Sequence, residues 1–576
     1  MWRTHPTAKM REGTVVLKDS LFRFEQIQKS RALGGRHFDW VQWDLLERNA
    51  RLYGAREALA DTYFGTAYSE RRRRTWQEAY HQVNSLIASM LHHGLRPGAT
   101  VLSHLPSILE SSYLDWATSK LGAAHAGLNV DLGKAETIGA IKKLEPDLAI
   151  IVPGWHGRDF LEWYREGKEY VPGMQVVVLD LPNEVCDADD VLHWNDWLDP
   201  KIWDTFTLKD LEWLRPSPLS VHELLPTSGT TGVPKLSQRT TLDWFHVHSV
   251  GIAERAGHTV YDSRILIGPL SGGSGRLWGV HVPLYTGGRS VYLTEFSEEA
   301  VLKITEEESA TLWVWNPALI ARVVTNKAFD GAELKHLRQV SYSGAPMSFE
   351  VLDKLWRRNI TSFNVYGTSE VGGCMSPIAT ELTKERVLSA AGVPFEGFDV
   401  PVVDQDGLRL PAGQVGEILI WNVHHGYWDS PRESRETYHE EGSGDDAWAG
   451  YQHTGDLGTY DHEGYLRIVG RKKDMILRGS QNIFPKEIED LLVSHPDVRD
   501  IAIVGMPDPV LGERVAAFVV ADAGSHPTVQ SFAEHLDQRG VAKFKWPERV
   551  EIVDALPLGP GGKVQKGVLR ELLAKE

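Results

Sequence analysis

Only two cysteines, Cys186 and Cys374, occur in the 576 residues, and they form no CxxC pair. That scarcity excludes a disulfide framework and a cysteine-based zinc site. No stretch approaches the ~18 consecutive apolar residues of a membrane-spanning helix. Met1 to Pro6 carries no apolar core of a secretory signal, so the expected location is the cytoplasm. Basic charge is also in deficit, with 61 Lys and Arg against 78 Asp and Glu and a net charge of −17. Such a balance argues against a nucleic-acid partner, because phosphate backbones are held by excess Lys and Arg. Neither internal repeats nor low-complexity tracts occur.

What is present is ordinary globular material, 42% hydrophobic and 24% charged. The length suits several domain-sized units of about 150 residues. Thr75-Trp76-Gln77-Glu78 is a capping box. Tyr80, Val83, Ile87 and Leu91 follow at helical spacing, and Gly94 is a fit stop. Thr100 to Leu102 reads as a strand and Ile108 to Leu121 as a helix; Leu148 to Val152 and Val176 to Leu179 read as buried strands. Helices alternating with apolar strands predict an α/β fold with mainly parallel sheets. The arginine run Arg71 to Arg74 precedes the capped helix and reads as a solvated turn. After Gly470 the pattern changes to short strands around a Pro485-started helix, a compact α+β unit. The expected division is 1–470 and 471–576.

Thr227-Ser228-Gly229-Thr230-Thr231-Gly232-Val233-Pro234-Lys235 follows the apolar pair Leu224-Leu225, which reads as the end of a strand. Gly229 and Gly232 allow the backbone to turn its amides inward, and a nest of amides binds an anion. Hydroxyls and the Lys235 ammonium complete a polyphosphate cradle. The spacing differs from the nucleoside-triphosphatase P-loop, which has four residues between its glycines.

This segment resembles the signature loop of the adenylate-forming superfamily: acyl- and aryl-CoA synthetases, peptide-synthetase adenylation domains and luciferases. Further signatures fall in order: Ser343-Gly344-Ala345-Pro346, Tyr366-Gly367-Thr368-Ser369-Glu370, His453-Thr454-Gly455-Asp456, Gly470-Arg471-Lys472-Lys473-Asp474 and Pro557 to Lys563. Within the superfamily the C-terminal text, Gly540 to Arg549, is similar to free-standing aryl-acid AMP ligases. The resemblance implies a large N-terminal domain of layered sheets and helices with a barrel-like subdomain, and a small mobile C-terminal domain carrying a catalytic lysine.

It also implies the chemistry. A carboxylic acid attacks ATP to give acyl-adenylate and pyrophosphate, with Mg2+ as cofactor, and the acyl group then passes to CoA or a carrier-protein phosphopantetheine. An enzyme that stops at acyl-AMP and hands it to a separate thiolating partner is the alternative, and a non-catalytic nucleotide-binding relative is a remote one. Thr227, Ser228, Gly229, Thr230, Thr231, Gly232 and Lys235 would hold the β- and γ-phosphates. Gly344, Ala345, Pro346, Tyr366 and Gly367 would enclose adenine, and Asp456 and Arg471 would bind the ribose. Ser369 would meet the α-phosphate, Glu370 would ligate Mg2+, Lys563 would bridge acid and α-phosphate, and Lys473 would be the hinge.

Two departures bear on specificity. Where dihydroxybenzoate enzymes carry an Asn for the ring hydroxyl, this chain has Leu242, which neither donates nor accepts. Ser271-Gly272-Gly273-Ser274-Gly275 removes bulk where the acid lies. Together with Trp244 and Trp278 these predict a roomy apolar pocket for a bulky aromatic, alicyclic or polycyclic acid rather than 2,3-dihydroxybenzoate. Many relatives have Gly-Gly at the thiol tunnel; here it is Gly479-Ser480, which puts thioester formation in question.

Overall fold

The structure is a computed structural model. It describes residues 40–62, 71–181, 186, 188–227, 235–242, 249–345, 347–377, 383, 386–387, 391–395, 398–421, 426–438, 448, 450–479, 481–522, 524–557 and 564–574. The chain divides into two compact units. One comprises 1–388, 394–399 and 421–452; the other comprises 389–393, 400–420 and 453–576. The expected boundary at 470/471 therefore falls inside the second unit, because strands on both sides of it belong there.

Two twisted sheets organise the first unit. One has seven strands in the order Lys235–Thr240, Val221–Thr227, Ala124–Gly127, Thr100–His104, Leu148–Ile151, Gln175–Val178 and Leu192–His193. All its neighbours are parallel except the first pair. In the nine-stranded sheet a parallel core runs from Thr361–Thr368 through Gln339–Ser343, Leu312–Trp315, Ser263–Ile267 and Arg289–Leu293 to Glu57–Asp61. Strands buried on both faces need apolar runs, and Leu148 to Ile151 are buried without exception. The helix Trp76–His92 starts at the Thr75 capping box and packs Val83, Ile87 and Met90 into the core.

The arginine run is not a solvated turn. Arg72–Thr75 is an edge strand antiparallel to Glu57–Asp61. Arg71 pairs with Glu307 and Glu308, Arg72 with Asp61 and Glu110, and Arg73 with Glu57 and Glu308. Distant carboxylates neutralise the run and tie the edge strand down, which local sequence does not disclose.

In the second unit residues 402–403, 416–420, 453–460 and 466–471 form a four-stranded sheet. The C-terminal sheet pairs Val498–Asp508 with Gly512–Ala521, which also pairs with Arg549–Ile552. Ile488, Leu492, Phe532 and Leu536 share one core cluster with alternate strand residues, and Leu569 and Leu573 share another. The strands alternate between these clusters, as a pleated sheet covered on both faces requires.

Candidate active site

Strands Val221–Thr227 and Lys235–Thr240 pair antiparallel, with Thr227 opposite Lys235. Leu224, Leu225 and Leu236 are buried and fix this pair in the core. The segment expected to cradle phosphate joins these two strands. Ser228, Gly229, Thr230, Thr231 and Gly232 lie outside the described residues, as does the Thr227 side chain.

Lys235 meets a residue that the sequence reading missed. Its Nζ lies 5.0 Å from the centre of the Tyr427 ring, within reach of a cation–π attraction. Residues 426–428 run beside the lysine strand: the Trp428 amide donates to the Leu236 carbonyl at 2.8 Å, and the Gln238 amide to that of Gly426 at 3.0 Å. The Tyr427 hydroxyl donates to Glu370 Oε1 at 2.8 Å. Burial, reinforced by the Glu370 carboxylate, pushes the phenol well above its ordinary range, so it remains a donor. The one sequence signal is an aromatic after Gly426, too common to single out.

Glu370 follows the strand Thr361–Thr368, and its turn is braced from both sides. The buried Arg239 donates to the Ser369 carbonyl at 2.5 Å. Thr368 Oγ1 donates to Gln452 Oε1 at 2.9 Å and accepts from the Val371 amide at 3.2 Å. A Cβ on Gly367 would lie 1.8 Å from the Gly372 carbonyl oxygen, so only glycine permits the hairpin with Gly372–Ser376. Tyr366 is half-buried on the same strand. Gly344 holds φ +93 just after the strand Gln339–Ser343, a conformation that favours glycine. Ala345 is exposed beside it, and Pro346 lies outside the described residues.

The residues expected at the acid separate into two groups. Ser274 Oγ lies 3.0 Å from Ser343 Oγ, which brings Gly272 and Gly273 next to the Ser343-Gly344 turn. Leu242 is buried, with its amide donating to the Pro218 carbonyl at 3.0 Å. Trp278 is 1% exposed, its ring centre 5.9 Å from that of His258; it is a core residue. Trp244 lies outside the described residues. Gly275 reflects backbone packing, since a Cβ there would stand 2.1 Å from the Pro269 carbonyl oxygen.

A buried charge cluster in this unit also escaped the sequence reading. His281 Nε2 lies 3.1 Å from Asp115 Oδ2 and 2.8 Å from Glu223 Oε1. Arg276 Nη1 is 3.4 Å from Asp115 Oδ1. Burial alone would lower the His281 pKa, but the Glu223 and Asp115 carboxylates outweigh it and raise it to about 9. Burial of His125 dominates instead and pulls it down to about 4. Ligand-type atoms of Asp115, His222 and Glu223 fall within 4.8 Å of one another. Arg276 and the His281 imidazolium already balance the two carboxylates, so the group is an ion network. It ties Glu223, on the strand that ends at Thr227, to Arg276, at the end of the helix Gly273–Arg276.

In the second unit Asp456 and Arg471 stand opposite each other on adjacent strands. Arg471 Nε lies 2.5 Å from Asp456 Oδ1, and Thr454 Oγ1 accepts from the Asp456 amide at 3.0 Å. Lys472 and His453 flank Glu417 at 2.8 and 3.4 Å. Burial of Glu417 opposes ionisation, but these two partners outweigh it and hold its pKa at about 2. Lys473 is exposed in a short 3-10 turn, its carbonyl accepting from Arg570 at 3.3 Å. Gly479 has φ +63 and donates its amide to the Leu511 carbonyl at 2.6 Å. Ser480 and Lys563 lie outside the described residues.

Comparison with known proteins decides the family. Residues 46–428 match the AMP-binding enzyme family, and residues 487–563 match the AMP-binding enzyme C-terminal domain. The chain belongs to the AMP-binding enzyme family. This AMP-binding enzyme is 27% identical over 578 residues to a medium-chain fatty-acid–CoA ligase of Escherichia coli, covering 98% of this chain and 97% of that one. It is 32% identical over 358 residues to an indoleacetate–CoA ligase of Aromatoleum aromaticum, covering 61% and 67%. The fold matches that of the anthranilate CoA ligase AuaEII in complex with anthranoyl-AMP, with a TM-score of 0.80 at 22% identity, over 94% of this chain and 98% of that one. The protein is therefore an adenylate-forming enzyme of the acyl-CoA synthetase and ligase class. Among the described residues no helix is long and apolar enough to cross a membrane.

Proposed function

We propose that this enzyme joins a bulky apolar carboxylic acid to the thiol of CoA or of a carrier-protein phosphopantetheine, by way of an acyl-adenylate. In the first half-reaction a carboxylate oxygen bonds to the α-phosphorus of ATP, and the bond to the bridging oxygen breaks to release pyrophosphate. In the second the thiol sulfur bonds to the acyl carbon, AMP leaves with the bridging oxygen, and the thiol proton passes to solvent. The observation that carries the reading is the Lys235–Tyr427–Glu370 grouping at the base of the phosphate loop. It supplies a cation for phosphate and a hard oxygen donor for Mg2+.

Glu370 suits that ion: Tyr427 engages one carboxylate oxygen and the carboxylate retains further lone pairs. Bound there, Mg2+ supplies positive charge against the phosphates. Lys235 would oppose the charge that gathers on departing pyrophosphate, with Thr227, Ser228, Thr230 and Thr231 donating hydrogen bonds. Asp456 would accept from the ribose hydroxyls and Arg471 would donate to the ribose, their pairing orienting both. Lys563 would bridge the acid and the α-phosphate. Lys473 would act as the hinge of the C-terminal segment 471–576, removing Lys563 for the second half-reaction.

Leu242, which neither donates nor accepts, and the small residues Ser271 to Ser274 support an apolar acid. The indoleacetate ligase is a relative named for an aromatic acid. An enzyme that passes acyl-AMP to a separate thiolating partner is the second reading, favoured by Ser480 after Gly479. The test is pyrophosphate release across aromatic, alicyclic, polycyclic, fatty and dihydroxybenzoic acids, with and without CoA. Acid-dependent release with thioester formation supports the proposal. No release with any acid overturns it.

A further inference from the structure

Lys235 and Glu370 carry opposite charges and share one neighbour. Tyr427 offers its ring to the Lys235 ammonium at 5.0 Å and its hydroxyl to Glu370 Oε1 at 2.8 Å. Among the described residues the two charges meet the tyrosine and not each other. A direct pair would satisfy each charge with the other and leave neither for a ligand.

The tyrosine is built into this place. It is 3% exposed, and its amide donates to Ser434 Oγ at 2.8 Å. Gly426 before it holds φ +70, and a Cβ there would come within 2.6 Å of the same oxygen. Pairing of residues 426–428 with the lysine strand sets its position along that strand.

We propose that Tyr427 is the positioning residue of the magnesium-binding carboxylate. Its hydroxyl would fix the Glu370 carboxylate in one rotamer for binding the ion, and its ring would hold Lys235 as a phosphate cation. The proposal rests on the adenylation reading above and adds to it a residue that touches neither substrate. A hydrogen bond to a charged group is among the stronger kinds. Its loss should show as weaker affinity for the metal rather than as a damaged acid pocket.

The experiment uses the full chain and an acid that supports pyrophosphate exchange in the wild type. Tyr427→Phe keeps the ring and removes the donor. Its half-saturating Mg2+ concentration should rise about tenfold, a change of about 1.4 kcal/mol. The KM for the acid should stay within about twofold and the melting temperature near that of the wild type. Tyr427→Leu should additionally raise the KM for ATP at saturating Mg2+. In a Glu370→Gln background, Tyr427→Phe should produce no further shift, since a pair that acts through one contact is not additive. An unchanged Mg2+ dependence in Tyr427→Phe overturns the proposal. So does an equal rise in the acid KM, or a full further shift in the Glu370→Gln background. If Tyr427→Phe fails to fold, direct binding of ATP with and without Mg2+ to Tyr427→His decides, because only the Mg2+-dependent part should weaken. Absence of exchange in the wild type with every acid would instead defeat the adenylation reading itself.

Discussion

Ser274 Oγ and Ser343 Oγ lie 3.0 Å apart, so the glycine-rich turn expected at the acid touches the turn expected at adenine. A side chain that grows at Ser274 therefore enters the space between the two. Ser274→Phe should lower kcat/KM about 10- to 100-fold for a polycyclic acid and less for a small aromatic acid. Steady-state kinetics on both acids checks this. Equal losses would place the acid elsewhere. A wild-type preference for 2,3-dihydroxybenzoate would refute the apolar pocket altogether.

Lys563→Ala should slow adenylation by about 100-fold or more, because a charge stabiliser is worth most where charge develops. Thioester formation from supplied acyl-AMP should persist. The two half-reactions, assayed separately, test this, and equal loss in both would count against the assigned role.

If Ser480 takes the place that glycine holds in many relatives, its Cβ and hydroxyl would narrow the path of a pantetheine arm, and misplacing a reacting thiol by about 1 Å can cost ~100-fold. Ser480→Gly should raise the thioester rate and leave pyrophosphate exchange unchanged. A wild type that forms acyl-CoA as fast as it forms adenylate would show that the serine is no obstacle.

Gly367→Ala should destabilise the first unit by about 3 kcal/mol or more, since the new Cβ would collide with the Gly372 carbonyl. Denaturant unfolding measures it. A stability loss below about 1 kcal/mol would mean that the hairpin yields.

Raising the pH should loosen the buried ion network. The folded pKa of His281, about 9, lies above the usual imidazole value. Its contribution is complete below about pH 6.5 and fades as pH rises through about 9. The melting temperature of the wild type should fall over that interval. His281→Gln should melt lower at neutral pH, with little further fall between about pH 7 and 9. A flat wild-type profile up to pH 10 would contradict the assignment.

Elements that depend on neighbours in sequence were legible. The Thr75 capping box, the strand at Leu148 and the Pro485 helix start all lie where the residues predict them. The family was legible because its motifs are contiguous. The Arg71 to Arg73 ion pairs, the Asp115–Glu223–His281 cluster and the Tyr427–Glu370 bond were not, since each joins side chains that only the tertiary fold brings together. Leu242 and Trp278 are buried alike, and apolar bulk suits a substrate pocket and a protein core equally, so their role was not legible from residue type.

Thr227 opposite Lys235 has a consequence for how such sites diversify. The ladder fixes Thr227 and Lys235 in register, so the position of the lysine is set by the strands and not by the residues between them. Anchorage and recognition thereby become separately variable. A library randomised within 228–234 should yield many folded chains that release pyrophosphate poorly, whereas randomising 221–227 should yield mostly insoluble ones.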